Sequence, residues 1–318
     1  MLLEERNFYK PFNYPWAFEA YKKQQQMHWL PDEVPLQDDI KDYNDKLTPD
    51  NRLLLDNIFK FFTQADVDVC CGYAKHYLPT FKQPEVRMML VSFAAMEAVH
   101  QEAYSLLLET LGKSDDMYQE FMDIQEMVEK HEYLSDFSME TKHDIAKTMA
   151  VYSGFTEGVQ LFSSFAILLN FPRHNLMKGM GQIVTWSIRD ETLHVESVSK
   201  LFRTFIAENP ELWTDKLKYE IYCAAERVVE LEDKFIDVCF AQAEIPDLTA
   251  KEVKEYIRYI ADRRLLGLGM KEIFHSQENP LPWIDMQINA VEHTNFFENR
   301  ATEYAKASTQ GNWQDIFK

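Results

Sequence analysis

Six side chains capable of holding transition metals occur in one repeated order. Asp66 is followed 31 residues later by Glu97 and His100, and Glu157 is followed 34 residues later by Glu191 and His194. Each Glu-x-x-His pair lies on one face of a helix, so both of its members can reach the same ion. Four carboxylates and two imidazoles suit iron or manganese and the redox or oxygen chemistry of a coupled metal pair. The spacing is cheap by itself, because Glu140/His143 and Glu272/His275 repeat it. Glu140/His143 even has Glu109 31 residues upstream, but it stands among Ser138, Thr141, Lys142 and Asp144. Glu272/His275 follows Gly267 and Gly269, with no acid 31 or 34 residues before it. Both read as surface pairs.

Apolar context separates the first two pairs from these. Glu97 and His100 belong to the stripe Phe93, Glu97, His100, Tyr104, Leu107, Leu111, and Glu191 and His194 to Val184, Ile188, Glu191, His194, Val198, Leu201. Asp66 lies between Phe62 and Val69 on a stripe that continues to Tyr73. A buried carboxylate without a partner is costly, and no Lys or Arg occupies these stripes, so divalent cations are the expected compensation. Tyr104, one turn beyond His100, is a candidate one-electron donor to such a centre.

The elements that must position these groups are helices. Most segments follow a period of 3.6 residues and almost none alternate as a half-buried strand does. Thr48-Pro49-Asp50 opens a helix that runs to about 76. Pro84-Glu85 opens another that ends near Gly112, and a shorter amphipathic piece covers about 115–132. Longer helices are expected over 140–169, stopped before Pro172, then 174–208 and 214–243. Thr249-Ala250-Lys251-Glu252 reads as a capping box for one more. The first ~45 and last ~40 residues look less regular.

Composition limits what such a bundle does. With 9 Gly and 12 Pro in 318 residues and no linker-like stretch, one domain over 1–318 is expected, with 1–47 an N-terminal segment and 280–318 a tail. A formal charge of −19 argues against nucleic acid as a partner. No apolar run approaches membrane-spanning length and no charged-then-apolar leader opens the chain, so a cytoplasmic protein without a membrane partner is expected. Cys70, Cys71, Cys223 and Cys239 form no Cys-x-x-Cys and read as buried apolar side chains.

The runs Glu97-Ala98-Val99-His100-Gln101-Glu102-Ala103-Tyr104 and Arg189-Asp190-Glu191-Thr192-Leu193-His194 resemble the small, radical-generating subunit of class I ribonucleotide reductase. So do Trp29-Leu30-Pro31-Asp32-Glu33-Val34 near the start, and Asn295-Phe296-Phe297-Glu298 and Glu303-Tyr304 near the end. The resemblance covers almost the whole chain. It implies an all-α, ferritin-like helical bundle with additional helices and a dimetal-carboxylate site between four core helices. It implies two metal ions per chain, iron first and manganese as the alternative, held by Asp66, Glu97, His100, Glu157, Glu191 and His194. Tyr104 matches the radical tyrosine. Trp29 and Asp190, with His100, match the start of the electron and proton path, and Tyr304 its relay across the subunit interface. Trp313, Ile316 and Phe317 match the tail that docks on the large catalytic subunit, and a homodimer is implied. Leu161 and Ser187 depart from the bulky apolar residues many relatives carry around the radical tyrosine. The other enzyme class compatible with the ligands is a dimetal oxidase or hydroxylase acting on a small organic substrate.

Overall fold

The chain folds, in a computed structural model whose described residues are 1–133, 137–276 and 278–288, into α-helices, eleven of them with both ends described. These are α1 (Pro15–Met27), α2 (Gln37–Lys41), α3 (Pro49–Gly72), α4 (Leu78–Thr80), α5 (Pro84–Thr110), α6 (Gln125–Tyr133), α7 (Lys142–Thr148), α8 (Phe162–Arg173), α9 (Lys178–Glu208), α10 (Asp215–Gln242) and α11 (Ala250–Gly267). Helix α3 packs on α5, α5 on α9, and α9 on the π-helical stretch Met149–Glu157. Those four elements enclose the middle of the bundle. Their inward side chains join one contiguous apolar cluster that includes Phe62, Phe93, Val184, Ile188 and Val198.

Local chemistry starts these helices where the sequence predicts. Thr48 Oγ1 accepts from Asn51 N (3.2 Å) ahead of Pro49, and Thr249 and Glu252 form the reciprocal capping box. Helix α9 begins at Lys178 rather than 174, because Asn175 and Met177 hold φ of 61° and 52° and end the preceding turn. The backbone amides of Gly179 and Met180 donate to the buried carboxylate of Asp39 (3.0 and 2.7 Å), which caps α9 from α2. A Cβ at Gly179 would stand 2.8 Å from the Pro35 carbonyl oxygen, so this approach requires glycine.

Three expected spans differ. The segment 140–169 is not one helix: α7 widens into the π-helical Met149–Glu157, the chain breaks at 160–161, and α8 then runs through Pro172 to Arg173. Most of 149–171 is buried on every side, so no polar face exists to reveal the interruption. The piece at 115–132 is two 3₁₀ turns, Asp115–Tyr118 and Glu120–Asp123, followed by α6. The N-terminal segment contains α1, whose run of Lys and Gln hides the buried Ala17, Ala20 and Gln24. All four cysteines are free thiols, with Cys239 buried and the others partly so. Among the described residues no helix is long and apolar enough to cross a membrane.

Candidate metal centre

Asp66 on α3, Glu97 and His100 on α5, Glu157 at the end of the π-helical stretch, and Glu191 and His194 on α9 converge in the bundle. They form two overlapping sets: Asp66, Glu97, His100 and Glu191, and then Glu157, Glu191 and His194. Within each set the ligand atoms lie inside 4.8 Å of one another. Glu191 belongs to both sets, and Glu97 Oε1 is 3.0 Å from His194 Nδ1, so these two carboxylates stand between the two positions. All six side chains are buried.

The outer face of each imidazole fixes its tautomer. His100 Nε2 faces Asp190 Oδ2 at 3.3 Å, and the same oxygen accepts from Trp29 Nε1 at 2.8 Å. His194 Nε2 donates to Gln24 Oε1 at 3.1 Å, while Gln24 Nε2 donates to Asp190 Oδ1 at 3.2 Å. With protons on both Nε2 atoms, Nδ1 of each ring is turned inward as a ligand, an orientation that such outer partners commonly impose. His100 Nδ1 lies 3.4 Å from Glu97 Oε2 and from Glu191 Oε1 without hydrogen-bond geometry to either. Asp66 Oδ2, both Glu97 oxygens, Glu191 Oε2 and both Nδ1 atoms lack hydrogen-bond partners. That is what a metal pair would satisfy, and the donor set fits it.

Electrostatics agree with that fit. No Lys or Arg among the described residues forms an ion pair with Asp66, Glu97 or Glu191. Burying one uncompensated ion costs several kcal/mol, against a typical net stability of about 5–15 kcal/mol for a whole domain. The metal-free site therefore holds protons. Burial, reinforced by Glu97 and Glu191, pushes the Asp66 carboxyl well above the usual range, and burial with Glu191 and Glu97 does the same to Glu157. Burial opposes charge on His194, yet Glu191 and Glu97 prevail and lift it to about 10. His100 rises likewise against burial, through Asp190, Glu191 and Glu97. Glu191, despite burial, is drawn down by the two histidines.

Tyr104 is buried beside Phe62 (ring centroids 5.0 Å), and its hydroxyl donates to Ser187 Oγ at 3.3 Å. Trp29 stacks over His100 (5.9 Å) and lies 5.1 Å from Trp186. The decoy pairs stay apart: His143 Nε2 pairs with Glu220 (2.7 Å), Glu140 is exposed, and Glu272 accepts from Arg263. Tyr304, Trp313, Ile316 and Phe317 lie outside the described residues. Sequence reasoning missed Gln24, whose amide links His194 to Asp190 and through it to His100, and Tyr73, whose hydroxyl donates to Glu157 Oε2 at 2.8 Å. The spacing Ala17, Ala20, Gln24 on α1 is the one available signal for the first.

Two Glu-x-x-His pairs and two further acids projecting inward from four elements define a ferritin-like dimetal-carboxylate bundle. The family described as ribonucleotide reductase, small chain, matches residues 6–280. A protein of Invertebrate iridescent virus 6, named probable ribonucleoside-diphosphate reductase small subunit 376L, is 46% identical, the match covering 99% of this chain and 98% of that one. Two solved structures share the fold. The ribonucleotide reductase R2 subunit from Clostridium botulinum gives a TM-score of 0.81 at 23% identity, covering 87% of this chain and 89% of that one. Streptococcus sanguinis dimanganese(II)-NrdF gives 0.76 at 21%, covering 88% and 99%. The chain belongs to the ribonucleotide reductase small-chain family, and it is the small subunit of a ribonucleoside-diphosphate reductase.

Proposed function

We propose that Asp66, Glu97, His100, Glu157, Glu191 and His194 hold two metal ions and that Tyr104 carries the radical with which this subunit starts ribonucleotide reduction. The observation that supports it best is the inward convergence of these six buried side chains, with ligand atoms left without protein partners. When bound, the metals supply the activation of O₂ or a reduced oxygen species and the oxidising equivalent. Iron is the first reading and manganese the alternative; dimanganese(II) in the streptococcal relative supports manganese as a candidate.

The protein's own groups do the rest. Glu97 and Glu191 set the separation of the two positions, and Gln24 and Asp190 hold both imidazoles with Nδ1 inward. Phe62, Phe165 and Leu161 are buried in the apolar core, Phe62 packing on both Phe165 and Tyr104, and such walls keep water from a phenoxyl. Ser187 accepts the Tyr104 proton donor and so orients the phenol. His100, Asp190 and Trp29 form an unbroken contact from the centre outward, the beginning of the electron and proton path. Tyr304 continues that path, and Trp313, Ile316 and Phe317 dock on the large catalytic subunit. We further assign one domain, a homodimer and a cytoplasmic location, and no nucleic acid or membrane as partner. The outward contact to Trp29 disfavours a dimetal hydroxylase, which needs no exit for an electron hole.

Metal analysis with electron paramagnetic resonance after aerobic reconstitution tests this reading. Wild type and Tyr104→Phe are expected to bind two metals per chain, and only wild type to retain a long-lived organic radical. An equal signal in the variant removes Tyr104 from the role. Tyr304→Phe is expected to keep the radical and lose nucleotide reduction with the large subunit; retained turnover would exclude it from the path.

A further inference from the structure

A chain with 52 acidic and 33 basic side chains should find an acid for almost every cation, yet three cations without one stand together where α9 meets α11. Lys200 and Arg203 on α9 and Arg264 on α11 form no ion pair among the described residues. With Arg263, Ser199 and Glu196 they line an open pocket of about 480 Å³. Small-molecule sites span roughly 300–1,000 Å³. In this lining four cations face one acid, the exposed Glu196, and only Arg263 is paired, with Glu272 outside the pocket. Neutral partners hold the other three. Arg203 donates to the Gly267 carbonyl at the end of α11, and Lys200 Nζ lies 5.2 Å from the centre of the Trp16 ring. Arg264 Nε donates to the Gly158 carbonyl at 3.0 Å, with the guanidinium 5.1 Å from the Phe162 ring centre. A Cβ at Gly158 would stand 2.9 Å from that nitrogen, so the approach requires glycine. Arg264 is half-buried, and desolvation pulls its guanidinium below the ordinary value. Its Nη groups make no hydrogen bond among the described residues.

We propose that this pocket binds the diphosphate group of a small molecule, with the Arg264 fork and the Lys200 ammonium as its main contacts. An arginine held along its Nε edge presents its remaining N–H groups in a fixed plane, which matches two phosphate oxygens at once. Lysine adds a mobile point charge beside it. The excess of cations calls for more than one negative charge, and the volume exceeds what a single phosphate fills. No aromatic side chain belongs to the lining among the described residues, so a base would find nothing to stack on and the phosphates carry the recognition. Inorganic diphosphate and a nucleoside diphosphate share that chemistry. The occupant would also touch the metal-bearing part of the bundle, because the carbonyl that holds Arg264 belongs to the residue after Glu157.

The test is isothermal titration calorimetry of the full-length protein with inorganic diphosphate and, separately, with ADP. Wild type is expected to bind one equivalent of each, more weakly as salt rises. Arg264→Gln and Lys200→Gln are each expected to weaken binding about tenfold. Lys200 is exposed, so its variant still decides the question if Arg264→Gln fails to fold. Lys251→Gln, which removes an exposed cation from the first turn of α11, is expected to bind as wild type does. Equal affinities for the two ligands name the diphosphate group as the whole determinant. Tighter ADP binding that Lys200→Gln weakens supports the site and names a nucleotide as its occupant. Absence of binding overturns the proposal, and so do identical isotherms for wild type and Lys200→Gln. Binding of a glutamate-rich peptide but of neither phosphate also overturns it, and would mark the patch as a protein-docking surface.

Discussion

Two groups of buried carboxylates lie in this bundle and are compensated by opposite means. Glu232 on α10 is fully buried, and the protein brings it a cation: Lys130 Nζ on α6, equally buried, stands 2.6 Å away. Lys130 also donates to the Gln160 carbonyl (2.9 Å) and lies over the rings of Phe61 and Phe235, while Ser163 donates to the other Glu232 oxygen. The centre at Asp66, Glu97, Glu157 and Glu191 holds four carboxylates, two imidazoles and several ligand atoms without hydrogen-bond partners. A fold able to bury a lysine for one glutamate has not done so for Asp66, Glu97 or Glu191. The contrast separates a carboxylate that serves packing from the carboxylates to which the proposed function gives a metal-binding role.

The largest effect expected from this contrast follows from removing the lysine. Lys130→Met leaves Glu232 buried without its cation and should cost about 3–5 kcal/mol of unfolding free energy in denaturant titration. Asp66→Asn in metal-free protein should stay within about 0.5 kcal/mol of wild type. Burial raises this carboxyl well above the usual range and so favours its neutral form, and the amide has the same shape. Comparable losses in the two variants would erase the distinction.

Metal addition sharpens the comparison from the other side. A ligand that binds only the folded state adds about 2.7 kcal/mol per site at a free concentration 100 times Kd. Lys130→Met should regain that increment with Mn(II) or Fe(II), because its defect lies elsewhere. Asp66→Asn should regain less, having lost a ligand. If Asp66→Asn gains as much as wild type, Asp66 is not a ligand.

The two clusters also differ in how far the sequence reveals them. Glu97/His100 and Glu191/His194 were legible because each sits on an apolar stripe of one long helix, where a charge is out of place. The caps at Thr48 and Thr249 were legible because capping is local. Lys130 gave no such signal: its helix, α6, is nine residues long and polar, and the lysine is buried only because α10 closes over it. Gln24 meets Asp190 across 166 residues, a contact that no local period encodes. The π-helical stretches escaped for a third reason. Segments apolar on all sides keep their pattern whether the turn holds 3.6 residues or more.

A last effect concerns protons, and its size distinguishes the metal-free from the loaded centre. In metal-free protein His194 is lifted from its ordinary 6.5 to about 10, so the folded chain holds this proton more tightly than the unfolded chain. That contribution is fully present below pH ~6.5 and is lost as pH rises towards 10. Each such proton contributes at most about 1.4 kcal/mol per pH unit, and His100, raised likewise, acts in the same direction. Metal-free protein should therefore lose unfolding free energy between pH 7 and 9. The loaded protein should change less over the same interval, because a metal on Nδ1 replaces the proton. Metal affinity itself should fall on acidification, as protons compete for both imidazoles. Parallel pH slopes for the two forms would place the proton elsewhere and remove His194 from the centre, leaving the contrast with Lys130 to rest on the carboxylates alone.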